Sequence, residues 1–94
     1  MPENFNTTFF QLSNDARITV WHFSIFMAVF LRFRENPLNN PISITRREIM
    51  KSAHIKSIAT YHKCVKQLKE FGYLEYFPSY DPLLGSRIYL HLKS

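Results

Sequence analysis

The sequence predicts an α+β fold in which three helices are followed by a two-stranded β-hairpin, all in one domain spanning residues 1–94. Three observations carry that prediction. Apolar residues recur at helical spacing through residues 13–35 and 41–71. Capping side chains and a glycine stand where helices should start and stop. After Gly72 the apolar period changes from helical to alternating.

In chain order, residues 1–12 read as an N-terminal arm, with Thr8 to Leu12 as a short strand within it. Ser13, Asn14 and Asp15 offer N-cap side chains for a first helix running to about Glu35. Asn36-Pro37 stops it, because proline disfavours helical backbone in the residue before it. This helix is apolar nearly all round. Trp21, Ile25, Ala28 and Leu31 share one side; Thr19, His22, Phe26, Phe30 and Phe33 share the other. A surface helix normally has a single apolar stripe. The side holding His22, Phe26, Phe30 and Phe33 is therefore expected to meet a second copy of the chain, making a homodimer. The alternative is that the N-terminal arm covers it.

Pro41 to Ile44 is a short strand candidate. Thr45 then caps a second helix, with Glu48 three residues on in the spacing of a capping box. A short connection, His54 to Ser57, leads to a third helix over 58–71, for which Ser57 is the cap. Its apolar residues Ile58, Tyr61, Cys64, Val65, Leu68 and Phe71 fall on one face, and Gly72 supplies a residue tolerant of positive φ at its end. Residues 73–92 form the hairpin. Leu74 and Tyr76 oppose Glu75, and Ile88, Leu90 and Leu92 alternate with polar residues around a long loop that begins at Pro78.

Charge is concentrated. Arg46, Arg47, Lys51, Lys56, Lys63, Lys66 and Lys69 face only Glu48 and Glu70 within residues 45–71, so this segment holds the whole net charge of +5. A localised positive field suits a polyanion; the alternative is a solvated basic surface. The free face of the third helix has matching chemistry. Ala59 permits close approach, His62 suits a base edge, and Lys63 and Lys66 reach phosphate or guanine. Lys56, Ser57 and Thr60 stand at the start of that helix, where amide groups favour phosphate. Arg46 and Arg47 lie in the first turn of the preceding helix, and Tyr80 and Arg87 lie in the hairpin. Arg87 has a second reading, as a partner of Glu75 across the strands.

The run Thr60-Tyr-His-Lys-Cys-Val-Lys-Gln-Leu-Lys-Glu-Phe-Gly-Tyr-Leu74 is similar to the third-helix pattern of winged-helix regulators, including the GntR and MarR types, and the match extends over about residues 41–92. Ile49-Met50, Ile58 to Cys64, Pro78-Ser-Tyr and Leu84-Gly-Ser86 resemble small DNA-binding proteins of bacterial mobile elements. Phe9-Phe-Gln-Leu12 is similar to the start of plasmid replication-initiator domains. The resemblance implies a winged helix-turn-helix that binds double-stranded DNA, as a transcription regulator or mobile-element factor, through Ser57, Thr60, His62, Lys63 and Lys66. Lys63 stands where that pattern commonly has Arg, and lysine does not offer the bidentate fork.

Other classes are disfavoured. The histidines (His22, His54, His62, His91) and Cys64 lack metal-ligand spacing, and no phosphate loop or catalytic triad order is visible. Neither an enzyme nor a bound cofactor is expected, and no residue pattern assigns a small-molecule effector. The apolar run from Ile18 to Leu31 is shorter than the about 20 residues a spanning helix needs, and it lacks the flanks of a signal peptide. A lone Cys64 fits a reducing cytoplasm. The rival function is a protein-interaction module without DNA binding.

Overall fold

A computed structural model of the chain describes residues 3–35, 41–77 and 85–91. They form a small α+β domain: α1 (Glu3–Asn14), α2 (Val20–Glu35), β1 (Ile42–Ile44), α3 (Arg46–Ala53), α4 (Ile58–Glu70), β2 (Leu74–Phe77) and β3 (Ser86–Leu90). Four helices replace the three expected, and the hairpin is part of a three-stranded sheet.

The extra helix is α1. Thr8 to Leu12, expected as a strand, lies inside it. Thr8 and Leu12 are both buried and stand four residues apart, Phe9 meets Phe23 edge-to-face at 5.1 Å, and Phe10 is exposed. That is one face of a helix. The residues expected to cap a helix starting at position 13 instead end the one before it. The Ser13 hydroxyl donates to the Phe9 carbonyl at 2.9 Å and the Asn14 amide donates to the Phe10 carbonyl at 2.8 Å, so both side chains fold back onto the turn before them in the last turn of α1.

Asp15 organises the elbow that follows. Its carboxylate accepts from the Arg17 amide at 3.0 Å and from the Arg17 guanidinium at 2.7 and 2.9 Å. It also accepts from the Tyr73 hydroxyl at 2.9 Å, tying the elbow to the residue before β2. The Arg17 bonds hold Asp15 well below the ordinary carboxylate value of 3.8. Burial, with the Asp15 bond added to it, raises the Tyr73 phenol to about 12. A depressed acid stabilises the fold above its unfolded pKa, and that stability drains away as pH falls through the folded value. Asp15→Asn is therefore expected to lower the melting temperature at pH 7. It should also flatten the decline of stability below about pH 4, as thermal unfolding across a pH series would read. An unchanged acid limb would contradict this.

α2 is the centre of the domain, with α3, α4, β1 and β3 packed around it. This explains its all-round apolar character and corrects one expectation. His22, Phe26, Phe30 and Phe33, expected at a homodimer interface, are buried in the chain's own core. The polar member is satisfied there. His22 Nδ1 accepts the Thr19 amide at 2.9 Å, which leaves Nε2 to donate to Gln67 Oε1 of α4 at 2.7 Å. The large apolar residues of α2 left exposed are Val20, Trp21 and Leu31. Among the described residues, no helix is long and apolar enough to cross a membrane.

The sheet order is β1-β3-β2, antiparallel throughout. Ile42 and Ile44 of β1, Ile88 and Leu90 of β3, and Leu74 of β2 are buried toward the helices. β1 pairs with β3 rather than standing alone, and Gly85 makes the close approach possible. It sits at φ 71°, and a Cβ there would come within 3.0 Å of the Ile44 carbonyl carbon and oxygen. Tyr80, Leu92 and the Asn36-Pro37 stop lie outside the described residues.

Candidate nucleic-acid interface

The α3–turn–α4 segment follows from local chemistry. The Thr45 hydroxyl accepts the Glu48 amide at 3.1 Å and starts α3. His54 ends it in the left-handed region at φ 59°, a conformation uncommon for residues with a Cβ. The Ser57 hydroxyl accepts the Thr60 amide at 3.2 Å and starts α4, and Gly72, at φ 85°, follows its end. Ser57 thus has its acceptor engaged in the cap, while the residue itself stays exposed.

α4 buries Tyr61, Cys64, Val65 and Leu68, and the Gln67–His22 bond pins one flank to α2. The side opposite is solvent-facing: Ala59, His62, Lys63, Lys66 and Glu70 are all exposed. Their spacing of three, four and seven residues makes them one continuous ridge. Lys56 and Ser57 are exposed beside its first turn, and Thr60 is half-buried.

Arg46 and Arg47 are exposed in the first turn of α3. Burial, with Tyr76 close by, pushes the Tyr61 phenol far above its ordinary value, while Arg46 acts in the opposite direction. The Tyr61 hydroxyl itself is buried with no hydrogen-bond partner among the described residues; the Tyr76 hydroxyl is bonded to Ser86 Oγ at 2.8 Å.

Arg87 is exposed but stands apart. It lies on the outer face of the sheet, across from Ser43 on one side and Phe77 on the other, whereas its neighbour Ile88 turns inward. It does not pair with Glu75, which faces Tyr89 and approaches His91 at 3.9 Å. The sheet's outer face instead carries an exposed aromatic pair that the sequence reading missed, Phe77 and Tyr89, edge-to-face at 5.8 Å.

The electrostatics of the ridge are one-sided. Among the described residues, the ion pairs are Arg17–Asp15, Arg32–Glu48 and His91–Glu75. None engages Arg46, Arg47, Lys56, Lys63 or Lys66. Glu48, one of two acids in the basic segment, is held by Arg32 at 3.1 Å, from outside that segment. The local positive field is thus less offset than the segment's own charge suggests. At the α1–α2 elbow an open groove of about 370 Å³ is lined by Leu12, Ile18, Val20, Phe23 and the hydroxyls of Ser13, Thr19 and Ser24. It presents no titratable side chain. No group of three or more His, Cys, Asp or Glu side chains able to hold a metal ion occurs among the described residues.

Compared with models of protein families, with curated proteins and with solved structures, the chain matches none.

Proposed function

We propose that this chain is a winged-helix protein that binds double-stranded DNA, with α4 entering the major groove. The observation that carries the reading is the α4 ridge, where Ala59, His62, Lys63 and Lys66 stand exposed opposite a buried face and the two lysines make no ion pair among the described residues. In a helix-turn-helix the second helix lies in the groove while the first crosses the backbone. Arg46 and Arg47 at the start of α3 suit that crossing. The element order from α2 onward, helix, strand, helix, helix and two further strands, agrees with a winged helix. On this reading β2 and β3 are the strands of the wing, and Arg87, exposed on the outer face of the sheet, is its candidate for backbone contact. Lys63 and Lys66 neutralise phosphates or meet guanine as point charges, and His62 meets a base edge. Binding of this kind acts by occupying a site, as a transcription regulator or a mobile-element accessory factor does. A homodimer on DNA would have to pair through a surface other than the buried side of α2.

A gel-shift assay with random-sequence duplex tests the proposal. A retarded complex at micromolar protein and low salt is expected, in line with nonspecific affinities of about 10⁻⁴–10⁻⁶ M at physiological salt. Absence of any complex under those conditions would leave the protein-interaction reading in its place.

A further inference from the structure

The first turn of α4 carries an exposed large apolar side chain within the 45–71 segment that holds the chain's net positive charge. Ile58 is 49% exposed and Ala59 is exposed beside it, while Lys56, Ser57, His62 and Lys63 surround them. Ile58 and His62 are four residues apart, and so are Ala59 and Lys63, so the apolar pair continues onto the same ridge as the cations. The pair does not belong to the core, whose α4 contribution is Tyr61, Cys64, Val65 and Leu68.

An apolar spot beside Lys56 and Lys63, which make no ion pair among the described residues, has a narrow set of matching surfaces. A purely apolar protein face would strip water from the lysines without pairing them, and a plain polyanion would leave Ile58 with nothing to cover it. Duplex DNA offers both features. Its backbone is anionic, and the thymine C5-methyl is the apolar group that projects into the major groove. In a helix-turn-helix the N-terminal residues of the groove-lying helix are the ones that contact base edges. Resting on the DNA-binding reading above, we infer that Ile58 and Ala59 contact thymine methyl groups, giving the protein a preference for thymine at the bases under the first turn of α4.

The test uses the full chain and one duplex pool of random sequence synthesised twice, once with thymidine and once with deoxyuridine, which differ only by the C5-methyl. One covered methyl group is worth about fourfold at a site that has thymine there; averaged over a pool in which about a quarter of the bases are thymine, the wild-type protein is expected to bind the thymidine pool about two- to threefold more tightly. Ile58→Ser should narrow the difference between the two affinities to what the Ala59 contact supplies, while leaving the salt dependence unchanged, since no charge is altered; because Ile58 is half-exposed, the variant's circular dichroism should match the wild type. Equal wild-type affinity for the two pools would overturn the methyl contact but leave DNA binding standing. Undiminished discrimination by Ile58→Ser would overturn the assignment to Ile58. Binding to neither pool would overturn this inference and the DNA-binding proposal together.

Discussion

Replacing Lys63 and Lys66 together by alanine is expected to weaken duplex binding by about 10- to 100-fold at about 0.1 M salt, with the fold intact. Each lysine that neutralises a phosphate releases roughly 0.9 of a counterion, so each contributes a factor of about 8 at that salt, and the log–log salt slope should shrink by about 2. Both side chains are exposed on the α4 ridge and lack an ion-pair partner among the described residues. Their removal therefore costs the native state little; surface changes of this kind stay within about 0.5 kcal/mol. Fluorescence anisotropy at two salt concentrations, with a thermal melt of the same sample, reads both halves. Unchanged affinity in a folded double variant would remove α4 from the account.

The largest effect on stability is expected at Phe26. Its ring is buried in the centre of α2 and meets Tyr73 nearly at right angles, with centroids 6.4 Å apart. Phe26→Ala leaves a cavity and should cost about 3–5 kcal/mol. A chain of this length has a total stability of roughly 5–14 kcal/mol. The melting temperature should fall by on the order of 15–30 °C. The same experiment separates a core residue from one at a subunit interface. Melts at two protein concentrations should show the same loss, because the ring is buried within one chain. A loss that disappears on dilution, or a shift of only a degree or two, would return Phe26 to an interface.

The parts of the fold legible in the sequence are those set by neighbours in the chain. Thr45, Ser57 and Gly72 mark the ends of α3 and α4 through bonds or backbone conformations that reach no further than four residues. The buried face of α4 follows from periodicity alone. The failures depend on long-range partners. Thr8 to Leu12 is rich in residues that favour strands, and its helical face becomes evident only once Phe9 is seen against Phe23. The break after α1 rests on Asp15, whose bond to Tyr73 spans 58 positions. His22 reads as a dimer-interface residue because its partner within the chain, Gln67, is 45 positions away. β1 finds its pairing partner only in β3, far along the chain.

The site divides the same way. The exposure of Ala59, His62, Lys63 and Lys66 was readable from the wheel of one helix. The placement of Arg87 on the sheet's outer face was not, because that face is set by the β1-β3-β2 register. The exposed Ile58 was counted among the core residues since it shares the apolar period; at the first turn of α4 that period has no packing partner to cover it.

The most direct single measurement is the salt dependence of wild-type binding to random duplex DNA. With about five phosphates neutralised per chain, the log of the association constant should fall against the log of salt with a slope near −4 to −5. A slope close to zero, with binding that persists unchanged from low to moderate salt, would contradict a groove-facing basic ridge.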